Sequence, residues 1–559
     1  MKDKVSPGRG APRDTTQALI DLDKEMMKLL VRRTILVSRL REGKRHASSP
    51  AAVQAEKAVR LAFEANASAF SKDPRFTGKF FALVQDLTLL SREDARNRPG
   101  FVLSPPRKPV NILGIGPTSG RSARLWMALA AMSGAATVLS PLMPCEAARD
   151  CVKVLNQAGG KLEWQSDSSS SLTVAAGRIP SFAGRTLFVG DDLLTLYLAC
   201  FMAVRQPGIL RLTGGPELKE ADLSGLRHIL PLLGARLAHL IPHSQSLPAT
   251  LECSGALPDS LDVPEDLPLE GMLALLLAPI TWGRSFTCNL SRLPASTATT
   301  ALTEMCVLFT ACEAEVEVNA PLLIYGTRPP RIPEHPVLPL DPVFTAYLLA
   351  LPAFAGGRVS LKGTWPAHLP EAQEALHILN WAGLRVDIGD GELTAVPITS
   401  STDILPPEDP YAALSPLTAA VFVRDMRRGR GTEPSFAPEI QPLIQSFFSC
   451  LRLEVQSPRS GSAQGSDADK SVGEGNRPRS WICPDACWGM ALALASFVRP
   501  GVRLANPDTV TQSLPFFWTL FNSLPEPDPA GCLSPSTTSE EKDSTRRRIR
   551  TDVSPSLQN

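Results

Sequence analysis

Five times along this chain, an amphipathic helical run closes in a small-residue turn and resumes as an alternating strand. The copies lie at 152–164, 226–237, 302–318, 375–386 and 442–455, with text such as VKVLNQAGGKLEW and ALHILNWAGLRV. A glycine or small residue supplies the turn that ends a helix. The residues after it alternate with the two-residue period of a half-buried strand. The copies recur roughly every 65–80 residues, too far apart for a solenoid. Such a chain is expected to build several α/β units related by internal symmetry. A large α/β protein without that symmetry is the plainer alternative.

The pattern begins at Val110. Upstream, Leu19, Leu22, Met26, Leu29, Leu36 and Leu40 form one apolar stripe on a long helix, with Asp14 as its N-cap. A second helical stretch covers 53–70, closed by Asp73-Pro74, and a third covers 76–93. Residues 14–96 therefore read as an all-α module. Three helices of this size bury little surface alone, so a homodimer through them is expected. Residues 1–13 read as a disordered arm and the Arg/Pro-rich 97–109 as a linker. Residues 456–480 read as a disordered insertion and 525–559, with Arg546, Arg547 and Arg548, as a disordered tail.

The 559 residues carry a formal net charge of +1, so no global field draws the chain to nucleic acid or to an anionic membrane. No apolar run reaches the roughly 18 residues of a membrane span, and MKDKVSPGRGAPRD lacks the apolar core of a secretory signal. A cytoplasmic protein is expected. The 11 cysteines are scattered, and Cys483-Pro-Asp-Ala-Cys487 has no second pair to complete a zinc site, so neither metal nor cofactor is expected.

Arg33 falls on the apolar stripe, Lys44 lies eleven residues further on the same face, and Glu56 opens the next helix. Two cations and a carboxylate facing a helical interior suit a small dianion. Alternatively, Arg33 reaches out to a surface carboxylate. With IDLDKEMMKLLVRR at 20–33, these residues resemble the small all-helical chorismate mutases. The resemblance implies that Arg33 and Lys44 bind the carboxylate and ether oxygen of chorismate and that Glu56 positions its hydroxyl. The protein then contributes orientation and electrostatics alone. Thr16, Ala55 and Ser91 stand where that family carries two arginines and a glutamine.

Residues 110–132 read as strand, Gly-rich turn and helix, with Gly114, Gly116 and Gly120 in a GxGxxxG arrangement. A dinucleotide site needs an acid after the next strand, and 136–139 runs into Ser-Pro-Leu-Met instead. A chorismate mutase–prephenate dehydrogenase-like fusion is the reading that this motif would support. A better match runs from 110 to 524. GPTSGRSARLWMALAAM, LTGGPELKEADLSGLRHILPLLGARL, LPLDPVFTAYLLALPAFAGG, residues 482–495 and VTQSLPFFWTL together resemble the 3-phosphoshikimate 1-carboxyvinyltransferases, or EPSP synthases, in the right order.

That resemblance implies a two-domain α/β (α+β) body of repeated α/β units behind the all-α module. Domain I would be 110–117 and 341–524, domain II 118–340, with the chain crossing near Pro117 and Asp341. It implies a transferase of chorismate and aromatic amino acid biosynthesis that moves enolpyruvyl from phosphoenolpyruvate to shikimate 3-phosphate. Asp341 would be catalytic and Arg124 substrate-binding. The reaction joins two multiply charged anions, so its cleft needs several Lys and Arg side chains. Yet the family's cationic and phosphate-binding positions fall on Ser119-Gly120, Leu193, Leu194, Tyr197, Ala221, Leu267-Pro268-Leu269, Ala486-Cys487 and Gln512. The expectation divides between a divergent transferase and a non-catalytic paralogue that scaffolds or regulates aromatic-pathway enzymes, and the missing charges favour the second.

Overall fold

The computed structural model describes residues 101–524 apart from 106–107, 166–169, 241–244, 399–403, 430–432, 452–479 and 523. These residues belong to the second of two compact units, which begins at Phe101. The helical module, its Arg33, Lys44 and Glu56 and its expected dimer lie outside the described residues, as do the arm, the tail and all of the insertion except Ser480.

Three four-stranded sheets repeat one plan. In the first, Val110–Ile115 runs parallel to Gly357–Lys362, which is antiparallel to Glu392–Pro397, itself antiparallel to Leu384–Gly389. The second places Thr186–Phe188, Gly208–Thr213, Ala249–Cys253 and Ala235–His239 in those roles. In the third, Ser260–Asp262, Phe286–Asn289, Leu322–Tyr325 and Val316–Asn319 do the same. Two three-stranded sheets keep part of the plan, one of them antiparallel throughout (Thr137–Leu139, Leu172–Val174, Leu162–Trp164). Each full sheet holds a single parallel pair. A dehydrogenase needs a mostly parallel, doubly wound sheet, so the prephenate dehydrogenase alternative is overturned.

Residues 97–109 are not wholly a linker. Phe101–Leu103 is a strand antiparallel to Val502–Leu504, and Ser480–Trp481 completes that sheet from the last residue of the expected insertion. Leu103 is fully buried. A strand of three residues among prolines is too short to display an alternating period, which is why the pattern hid it.

Inside the sheets lie helices that are apolar on every side, the signature of a buried helix. Leu193–Ala203 buries ten of its eleven residues and Ala486–Ala495 buries all ten. The strands, by contrast, turn one face outward. Arg358 and Lys362 are exposed on either side of buried Val359 and Leu361. Among the described residues no helix is long and apolar enough to cross a membrane.

The first sheet differs from the others in how its parallel pair is connected. The chain leaves at Ile115 and returns at Gly357 after building the second and third sheets. The outgoing and returning passages run side by side. Thr118 bridges Leu340, the Ser119 amide donates to the Pro339 carbonyl (2.8 Å), and the Asp341 amide donates to Pro117 (2.8 Å). On return, Gly357 adopts a φ of 95°, and a Cβ there would stand 2.0 Å from the Val110 carbonyl oxygen. Gly357→Ala is therefore expected to lower stability by more than about 1–2 kcal/mol, read as a lower urea midpoint at unchanged slope.

Candidate functional site

Four buried helices begin at side-chain oxygens of their own chain. The Ser122 amide donates to Ser119 (3.2 Å), Thr195 to Asp192 (2.9 Å), Phe344 to Asp341 (3.0 Å) and Trp488 to Asp485 (3.0 Å). A helix N-terminus attracts anions through its free amides and its dipole. Three of these four already hold a carboxylate supplied by the fold.

Two arginines stand one turn apart at the start of the Gly120–Ser133 helix, and both are occupied. Arg124 donates to the Gly120 carbonyl (2.9 Å) and forms an ion pair with Asp192. Asp192 also receives the Thr195 hydroxyl (2.5 Å). Arg121 pairs with Glu304 (3.0 Å), and Glu371 approaches the same guanidinium to 3.6 Å. Asp341 acts on Arg121 electrostatically from the neighbouring passage.

Burial pulls the Arg121 guanidinium down, but Glu304, Glu371 and Asp341 outweigh it and hold the group above its usual value. Burial likewise works against Arg124, and Asp192 more than offsets it. The carboxylates carry the converse strain. Burial pushes Asp341 up, although the Phe344 amide and Arg121 pull it back. Glu304 is pushed up by burial and pulled back by Arg121, while Glu371 and Asp341 push it further. Glu371 leaves Oε2 buried with no hydrogen-bond partner among the described residues. Three carboxyl groups thus surround one guanidinium, and an incoming anion would have to displace them.

The acidic character continues outward. Burial lifts the Glu374 carboxyl to about 7, against the Tyr411 amide that donates to it at 2.9 Å and helped by Asp409 and Glu371. An acid with a raised folded value binds its proton more tightly in the folded state. Its contribution to stability is therefore fully present below its ordinary value of 4.5 and is lost as pH rises to about 7. Melting temperatures taken from pH 5 to 8 should fall with rising pH, and fall less steeply in Glu374→Gln.

Asp485, Ala486 and Cys487 form the cap and first residues of a buried helix. The Tyr347 hydroxyl, beside Cys487, donates to the Ala413 carbonyl (3.0 Å). Burial raises the Cys483 thiol to about 11 and raises Cys487 as well, and both cysteines are free and buried. Among the described residues no group of three His, Cys, Asp or Glu side chains is placed to hold a metal ion.

No family model matches the chain. The 3-phosphoshikimate 1-carboxyvinyltransferase of Shewanella sp. (strain MR-7) is 23% identical to it over 424 residues, spanning 75% of this chain and 97% of the relative. The enzyme of that name from Shewanella oneidensis is 22% identical over 429 residues, with the same coverage of both chains. Among solved structures, an EPSP synthase from Acinetobacter baumannii matches with a TM-score of 0.56 at 14% identity, covering 76% of this chain and 98% of that one. The fold is that of the EPSP synthases. The enolpyruvyl transferase NikO from Streptomyces tendae matches it with a TM-score of 0.52 at 16% identity, covering 76% and 96%.

Within this EPSP synthase-like body, the two described candidates from the sequence have different partners. Asp341 caps a helix and faces Arg121, whereas Arg124 faces Asp192. Sequence reasoning missed Arg121, Asp192, Glu304, Glu371 and Glu374. The usable signal was two arginines in an otherwise apolar helical run, which must meet anions somewhere.

Proposed function

We propose that this chain is an EPSP synthase-like protein of the shikimate pathway whose body scaffolds or regulates enzymes of that pathway and does not itself transfer enolpyruvyl. The body comprises domain I at 110–117 and 341–524 and domain II at 118–340. The observation that carries the proposal is the occupation of Arg121 by Glu304 and Glu371 and of Arg124 by Asp192. Shikimate 3-phosphate and phosphoenolpyruvate are both anionic, and binding them side by side requires free cations. Here the charge excess is of the same sign as the substrates. Phosphate release from that substrate pair tests the reading, and sustained turnover would sink it. The helical module at 14–96 keeps chorismate as its candidate ligand through Arg33, Lys44 and Glu56. Loss of chorismate absorbance, abolished in Arg33→Ala, is the readout for that module.

A further inference from the structure

The balance of charge reverses at the far end of the Ser415–Arg427 helix. Its N-terminal side adjoins Ala413, which receives Tyr347, and its last residue lies about 18 Å further along the axis at 1.5 Å per residue. Four arginines gather there. Arg424 is buried, pairs with Asp425 (2.6 Å), donates to Ala382 (2.7 Å) and Ala353 (3.3 Å), and lies 5.7 Å from the centre of the Phe354 ring. Arg428 donates to Ala353 (3.4 Å), and Arg427 donates to the Val498 carbonyl. Arg499 follows Val498 in the chain, and its Nε is buried without a hydrogen-bond partner.

These backbone contacts hold the Arg424, Arg427 and Arg428 guanidinium groups around one helix end. Burial lowers the Arg424 value despite Asp425, and the charge of Arg428 works in the same direction. Asp425 neutralises Arg424. No carboxylate pairs with Arg427, Arg428 or Arg499 among the described residues, where Arg121 and Arg124 each have one. Helix C-terminal carbonyls stabilise cations nearby, but they leave the outward N–H groups of Arg427 and Arg428 free. Beside Arg427 lies an open cavity of about 320 Å³ lined by Phe354, Ala355, Arg427, Phe497 and Val498. Its walls combine two aromatic rings and an aliphatic side chain with a guanidinium.

We propose that this cavity binds a small organic anion, with its oxyanion on Arg427 and its apolar body against Phe354 and Phe497. Guanidinium groups recognise planar or tetrahedral oxyanions through paired N–H donors. The ring walls bury the apolar remainder, which inorganic phosphate lacks.

Phenyl phosphate is the probe, titrated calorimetrically into the full chain beside inorganic phosphate. Saturable binding of phenyl phosphate, about tenfold or more tighter than inorganic phosphate, is expected. Arg427→Gln, at an exposed position, should weaken it by about tenfold or more, the loss of a charge-assisted contact. Arg236→Gln, exposed on a distant strand, should leave it unchanged. Equal affinities for the two phosphates, equal losses in Arg427→Gln and Arg236→Gln, or no saturable binding would each overturn the proposal. Unchanged melting temperature in Arg427→Gln separates a lost contact from a lost fold.

Discussion

Mixed with shikimate 3-phosphate and phosphoenolpyruvate, the full chain is expected to release no phosphate above background. A charge-assisted hydrogen bond contributes about 1.5–3 kcal/mol. Four or five of them therefore amount to roughly 6–15 kcal/mol before non-additivity is allowed for. A micromolar complex is held by only about 8 kcal/mol. Removing the cations thus dissolves the complex rather than weakening it by a small factor. The two arginines that remain at the helix start are already paired, so anion binding there must first break Arg124–Asp192 or Arg121–Glu304. Steady release of phosphate dependent on both substrates would mean that the carboxylates move aside, and Asp341 would then return as the candidate acid–base group.

Arg124→Ala is expected to lower stability by about 3–5 kcal/mol, because it strands the Asp192 carboxylate where it is largely buried. The side chains of the pair are 12% and 15% exposed, so solvent screens little of the loss. Adding Asp192→Asn should recover most of it. An asparagine oxygen can still cap the Thr195 amide, and no charge is left unpaired. Urea unfolding of the two single variants and the double variant gives the coupling directly. A cost below about 1 kcal/mol for Arg124→Ala would place the pair in the class of solvated surface bridges. The arginine would then be free for a ligand, and the inference that the fold consumes it would fail.

The repeated units were legible because each is local. The helix Pro370–Trp381 and the strand Leu384–Gly389 are written in one stretch of twenty residues, with Gly383 marking the turn. The missing cations were legible for the same reason, since an absent lysine is visible without a structure. The occupied arginines were not. Glu304 reaches Arg121 across 183 residues and Asp192 reaches Arg124 across 68. No period in the sequence records such pairings. Asp341 illustrates the intermediate case. An Asp before Pro342 announces a helix cap, and the structure places the cap, but the two charged neighbours that act on it, Arg121 and Glu371, come from two other helices.

The parallel pairing of Val110–Ile115 with Gly357–Lys362 also bears on how the chain is made. The two strands are separated by roughly 250 residues, which at about 5–20 residues per second emerge from a ribosome some 12–50 seconds apart. For that interval the first strand has no partner, while every unit between the two can close on nearby contacts. Contacts of such long sequence separation form late and slowly. The first sheet is thus the last of the three four-stranded sheets to be assembled, and VNILGI waits as an unsatisfied strand edge during synthesis. The demand for a chaperone, and the tendency to aggregate when the chain is overproduced, should concentrate in this one segment.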